Sequence, residues 1–528
     1  MPPARLASPG PALPRFGRAL WLEFKRNAVP YVLPLLAAVF YFNTVRTANG
    51  YPAVWTVRAS VIDNDMVFEF GAFAAGLAAW AGSREGRRKT ADLVATTSRA
   101  VWARQSVALA GTLCWMLLAF LAGVAVLYIQ TALQATWGGP PLWPVFVGVA
   151  GVTVTTVIGF TAGVFFPGRF TAPLAAILVF VLSDIGFREA LSLAPGSGTY
   201  ALLSPSNSVP LVDSGIYYRV APDVSIVQVM FMGGIALALF GVLGLASGLR
   251  ELASAGGIGA LRAGLSRAGG WLPRAVAVVL TGCGVAAAVT AFVLAGTAQP
   301  DQAGGNAQAG AALFGWEIPA LHSAASDQPL PVTQDCTSTS GFRVCVNQAF
   351  SSDLGNVAAI VDPVGAAIAG LPGAPVGVEE VASMNAGLPV MSRISGNPPV
   401  FIFTAEHVGD LFGEFNGYDP VGWREGFQQG LLSDFLEEQS QQSGPVSVPL
   451  DAAQQAVENG LLTAIGSPPS TTFGGMNVNG KVTTPQTAAE VAAATQRFAA
   501  LSASARHAWL ATHLAALRAG TITVAQVP

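Results

Sequence analysis

The sequence predicts a membrane α-helical bundle of about seven transmembrane helices, followed by a soluble α+β domain. Three observations predict it. Hydrophobic residues make up 52% of the 528 and charged residues only 11%, against about 25% charged in soluble domains. So few charges cannot cover a soluble surface of this size, so lipid must cover part of it. The charge is also divided. Residues 1–297 hold 20 of the 27 Lys/Arg and 11 of the 30 Asp/Glu, a balance of +9; residues 298–528 hold the other 7 and 19, a balance of −12, and the two sum to the net −3. Third, the basic part contains apolar runs of about 17–25 residues, the length that crosses a hydrocarbon core. The acidic part suits a water-exposed domain and argues against nucleic acid as a partner.

The elements follow in order. In residues 13–28, Leu13, Phe16, Leu20 and Phe24 recur at helical spacing, with Arg15, Arg18, Lys25 and Arg26 on other faces. This predicts a cytoplasmic amphipathic helix in the membrane interface over residues 1–28; a plain basic flank is the competing reading. No small-residue cleavage site follows the first apolar run, so no cleavable signal peptide is expected. Spans are predicted near 29–45, 66–82, 106–130, 144–166, 171–187, 225–248 and 274–296, the first, second and fifth being the shortest. Pro30 and Pro34 are tolerable near a helix start. Residues 251–297 then comprise a connector and the seventh span.

Orientation follows from Lys/Arg placement. With a cytoplasmic N-terminus, the inner segments carry 16 of the first 20 Lys/Arg, and the outer loops carry 4, namely Arg46, Arg58, Arg188 and Arg219. An odd number of spans puts residue 298 onward outside. Cys336 and Cys345 lie close together in a polar stretch that can close as a hairpin through Ser340-Gly341. Their bridge would persist only in an oxidising compartment, which points to the same side. Cys114 and Cys283 sit in apolar runs and read as small hydrophobes.

Residues 298–312 are rich in Gly, Ala, Gln and Asn and read as a linker. In the extracytoplasmic domain, 313–528, apolar runs at 342–346 and 400–403 read as strands. Residues 354–370, 420–438, 451–465, 486–501 and 503–519 read as helices, the last capped by Ser502 or Ser504 and ended by Gly520.

The segment with the most chemistry is the basic loop after the second span, residues 83–104. It carries Glu85, then Thr90, then Asp92-Leu93-Val94, then Thr97, Arg99, Trp102 and Arg104. Leu93, Val94 and Trp102 expose apolar surface in a loop, and such surface is usually buried in a partner's groove. A solvated basic loop that only fixes topology is the alternative. The pattern resembles the ATPase-coupling segment of ABC-2 type transporter permeases, with Ser98 where that family carries a proline. The resemblance covers residues 13–250 and makes 29–250 an ABC-2-like six-helix membrane domain; the seventh span and the C-terminal domain lie outside it. The combination resembles actinobacterial permease-like membrane proteins. It implies a non-enzymatic subunit that exports or flips a substrate, pairs with itself or a similar permease, and binds a separate ABC ATPase subunit. No cofactor and no metal are expected.

Glu69 and Asp184 lie inside apolar spans, where ionised groups face a bundle interior or water. They are candidate translocation-path acids, or boundary residues that snorkel. In the C-terminal domain, residues 475–481 match most of a phosphate-binding loop, but Val482 stands where a hydroxyl is needed. Glu406, His407, Asp410 and Glu414 could form a His-carboxylate metal site, but a helix start with acids near its positive end explains the same residues. His507 and His513 are too far round one helix to chelate together. Two other readings of the chain remain: an extracytoplasmic ligand-sensing or assembly protein, and a membrane-anchored enzyme.

Overall fold

The computed structural model describes residues 12–46, 48, 53–62, 68–88, 100–191, 197–204, 215–254, 272–300, 316–323, 325, 330–382, 393–404, 420–437, 450–469 and 485–528. The amphipathic segment forms α1 (Ala12–Lys25). Its exposed flank carries Trp21 and Leu22, and Phe24 stacks on Trp115 at 4.2 Å. The Trp115 indole donates to the Phe24 carbonyl at 2.8 Å.

Among the described residues, five helices are long and apolar enough to cross a membrane: Val101–Ala132, Trp143–Phe165, Thr171–Ala190, Asp223–Leu249 and Arg274–Gly296. They lie in α5 (Val101–Ala132), α6 (Trp143–Phe165), α7 (Thr171–Leu191), α8 (Asp223–Ser254) and α9 (Leu272–Gly296). The count becomes six if the bent pair Gly17–Tyr31 and Leu33–Val45 is one span. Such helices are compatible with a multi-pass membrane protein. The expected count of seven is not confirmed by the described helices, for two reasons. The first expected span is broken: a 3-10 turn at Val29–Tyr31 precedes α2 (Leu33–Phe40), which runs into a π-turn at Tyr41–Val45, and the pair bends by 56°. Pro30 and Pro34 sit in this break, where each removes a backbone donor. Asn27 stabilises it, accepting from the Val29 amide and donating to Thr112 Oγ1. The second expected span follows the short α3 (Trp55–Val61) and is described as α4 (Phe68–Gly82), 15 residues.

Small residues hold the bundle together. A Cβ at Gly159 of α6 would lie 2.0 Å from the Ala75 carbonyl oxygen of α4, and one at Gly163 would lie 2.2 Å from that of Ala79. Only bare backbone permits this approach, the usual basis of helix association where lipid removes the hydrophobic drive.

The C-terminal region is α+β. Its five-stranded sheet has the order β1-β2-β3-β5-β4, with β1 (Gln334–Ser338), β2 (Arg343–Asn347), β3 (Gly377–Val381), β4 (Arg393–Ser395) and β5 (Val400–Thr404). The central pairs β2–β3 and β3–β5 are parallel; the outer pairs are antiparallel. Cys336 and Cys345 face each other in the β1–β2 hairpin and are bridged. Helices α10 (Leu354–Ile368), α11 (Pro420–Leu436), α12 (Ala452–Ala464), α13 (Pro485–Ala500) and α14 (Ala503–Arg518) form the rest of the layer. Asp451 and Gln454 make a reciprocal capping box on α12, and Ser502 caps α14. Phe350, Phe401, Phe403, Phe427, Phe435 and Phe498 are fully buried, each removing about 1.5–3 kcal/mol worth of apolar surface from water.

Candidate functional site

Helices α4 to α9 alternate in direction, so the loops gather at two ends. The basic end holds both roots of the predicted coupling segment. After α4 the chain makes one helical turn, Arg84–Arg87. Arg84 pairs with Glu23 of α1 at 2.6 Å, and Glu85 faces Arg104 of α5 at 3.7 Å. Helix α1 and both ends of the segment are thus tied to one another. Thr90, Asp92, Leu93, Val94, Thr97 and Arg99 lie outside the described residues.

Trp102 is placed differently from the expectation. It belongs to the first turn of α5, not to the loop, and is half-buried. Its ring lies 5.4 Å from that of Phe240 on α8. A Cβ at Gly244 would come within 2.9 Å of it, so the glycine makes room for the indole. Part of its apolar surface is covered from within the bundle, because α5 starts at Val101, one residue before the residue that looked stranded. Of the three apolar residues of the predicted coupling segment, Leu93 and Val94 remain the docking candidates.

Comparison with protein families, with curated proteins and with solved structures finds no match for this chain.

Of the two candidate acids, only Asp184 has a described side chain. Asp184 pairs with Arg188 one turn further along α7, at 3.0 Å, with its side chain about a third exposed. Glu69 lies in the first turn of α4, and its side chain is outside the described residues. So are residues 475–481 and Glu406, His407, Asp410 and Glu414. His507 is bonded to the Ala369 carbonyl at 2.9 Å and His513 stacks on Trp509. Among the described residues no cluster of three His, Cys, Asp or Glu could hold a metal ion.

At the opposite end, the structure reveals a polar seam that sequence reasoning missed. Val54 and Val57, at the start of α3, and Ile216, Tyr217 and Tyr218, from the turn before α8, belong to the same hydrophobic core as the C-terminal sheet. Glu380, on the central strand β3, is fully buried. It accepts from the Tyr217 hydroxyl at 3.0 Å and from the Asn347 amide at 2.7 Å. The Leu330 amide donates to the Tyr217 carbonyl at 2.7 Å, and the Thr136 hydroxyl to that of Gln348 at 2.9 Å. Arg58 donates to Gln134 Oε1 at 2.5 Å. Burial pulls its pKa down, with Asp353 opposing; burial pushes Asp353 up, opposed by Ser352 and by Arg58. Asp223, at the head of α8, accepts from the Ile318 amide and contacts His322 Nδ1 at 3.0 Å.

Within the C-terminal domain, Glu458 on α12 accepts from the Ser433 hydroxyl of α11. It is almost fully buried. Burial pushes its pKa up to about 7, against the Ser433 hydrogen bond and with help from Glu437. A cleft of about 340 Å³ opens nearby between α10 and α11, lined by Asn356, Arg424, Gln428 and Ser467 among others.

Proposed function

We propose that this chain is the membrane-spanning subunit of an ATP-driven transporter of the ABC-2 type. Seven spans, the broken first and the short second included, place the N-terminus in the cytoplasm and the disulfide-bearing domain outside. The subunit exports or flips its substrate as a pair with itself or with a similar permease, while a separate ABC ATPase subunit hydrolyses ATP. The observation that supports this reading is the fastening of both roots of the 89–99 segment, through Glu85–Arg104 and Arg84–Glu23. A push on that segment reaches α1, α4 and α5 at once, which is what coupling to a motor requires. The remaining residues of the resemblance, Thr90, Asp92, Leu93, Val94, Thr97 and Arg99, then form the docking surface.

Two experiments test it. On intact cells, an impermeant thiol reagent should label a cysteine introduced at 301–312, and one at 90–98 only after permeabilisation. The reverse pattern would overturn the orientation. The wild-type chain, purified gently from native membranes, should carry an ABC ATPase whose hydrolysis it stimulates.

A second reading is favoured by the seam. A C-terminal domain fused through a common core to the bundle's loops suits an extracytoplasmic ligand-sensing protein, with the cleft beside Arg424 as its pocket. Absence of any co-purifying ATPase would move this reading ahead.

A further inference from the structure

A separate arrangement lies on the flank of the basic end. The turn between α6 and α7 is Phe166-Pro167-Gly168-Arg169-Phe170, and all five residues are exposed. Phe166 is 71% and Phe170 65% exposed, and the Arg169 guanidinium sits 5.4 Å from the Phe170 ring centroid. Beside it, the Arg87 guanidinium lies 3.3 Å above the half-exposed Trp80 ring. Arg87 Nε donates to Ser83 Oγ at 3.0 Å, and one terminal nitrogen donates to the Trp80 carbonyl at 2.8 Å. The other terminal nitrogen makes no hydrogen bond among the described residues. The two turns touch: a Cβ at Gly86 would lie 2.4 Å from Pro167 Cβ.

Each half of this surface is wrong for a single solvent. Water does not suit three exposed rings, and hydrocarbon does not suit two guanidinia. The headgroup layer suits both, which is why aromatic residues gather at that depth. The Arg87 plane is already fixed by its ring and two hydrogen bonds, so little side-chain freedom is left to lose on binding. A guanidinium fork matches phosphate oxygens in geometry and charge. Below Phe170, Leu174 and Leu178 repeat at one-turn spacing on α7 and are exposed.

We propose that the Arg87–Trp80 and Arg169–Phe170 stacks form a headgroup site for one anionic phospholipid. Its phosphate lies on the two guanidinia, and its glycerol and acyl chains run along Phe170, Leu174 and Leu178. The continuous apolar track favours a lipid over free phosphate.

The test uses the full chain in detergent and native mass spectrometry with added phosphatidylglycerol, phosphatidylcholine or inorganic phosphate. The wild type should retain one phosphatidylglycerol in preference to phosphatidylcholine, and inorganic phosphate should not displace it. Arg169→Ala, at an exposed side chain, should weaken retention about fivefold, since an interfacial cation is worth about 1 kcal/mol. Arg87→Ala should act similarly, and the double variant should lose about 25-fold if the two contributions add. Arg88→Ala is the control, an exposed neighbour with the same charge, and should change retention less than twofold. Equal losses from Arg88→Ala and Arg169→Ala would reduce the effect to diffuse charge and overturn the site. Equal retention of the two lipids, or displacement by inorganic phosphate, would also overturn it.

Discussion

The two ends of the bundle are built by different chemistry. At the C-terminal-domain end, loops and sheet share one core, and the polar groups that cross it are buried: Glu380 takes hydrogen bonds from Tyr217 and Asn347 with no exposed surface. At the basic end, the ties are partly exposed ion pairs, Arg84–Glu23 and Glu85–Arg104. Buried polar groups cost most when one partner is removed, whereas exposed ion pairs contribute about 0–1 kcal/mol. The first end is made to keep one geometry. The second ties the two roots of the 89–99 segment, which itself lies outside the described residues, with ion pairs that are cheap to break.

The largest effect should come from breaking the seam. Glu380→Ala strands the Asn347 amide and the Tyr217 hydroxyl in the core, and should destabilise the fold by roughly 2–5 kcal/mol. Tyr217→Phe removes one hydrogen bond and should cost about 1–2 kcal/mol. Thermal unfolding of the purified full chain checks both. If Glu380→Ala unfolds like the wild type, the seam is not what joins the domain to the bundle.

Glu458 sharpens the comparison from inside the C-terminal domain. Its folded pKa is about 7 against an ordinary value of 4.5, so the folded state binds the proton more tightly. Its protonation stabilises the fold fully below about pH 4.5, and that contribution is lost as pH rises through about 7, for a total of roughly 3 kcal/mol. Glu458→Gln should therefore raise the Tm at pH 8 and flatten its dependence between pH 5 and 8. An unchanged pH profile would contradict the burial argument.

Smaller effects belong to the basic end. Trp102→Ala should cost about 2 kcal/mol through lost packing on Phe240, less than a fully buried tryptophan would. Glu23→Gln should cost under about 1 kcal/mol in Tm measurements. A loss from Glu23→Gln as large as that from Glu380→Ala would erase the distinction between the ends.

Much of this architecture was legible in the sequence where one property dominates a run. The long apolar helices followed from length and hydropathy. In the C-terminal domain, 354–370, 420–438, 451–465, 486–501 and 503–519 are helical within a residue or two, and the cysteine hairpin closes through Ser340-Gly341. Three features were not legible. The bend in the first span is held in part by Asn27 reaching Thr112, 85 residues away. Strand β3 was hidden because its centre is Glu379-Glu380, and acids signal a surface unless the Tyr217 partner is known. Trp102 looked like a loop residue because the room left by Gly244 comes from a helix more than 140 positions further along.

In the proposed function the 89–99 segment would dock an ATPase through Leu93 and Val94. Co-purification from native membranes of wild type, Leu93→Asp and Trp102→Ala measures it most directly, with Tm and stimulated ATP hydrolysis read on the same samples. A central apolar anchor is commonly worth about 2 kcal/mol or more, a roughly thirty-fold loss of affinity. Leu93→Asp should therefore release the ATPase and abolish its stimulation while leaving the Tm unchanged. Trp102→Ala should lower the Tm, with loss of ATPase no greater than its loss of folded protein. Full retention and stimulation of the ATPase by Leu93→Asp would contradict the assignment.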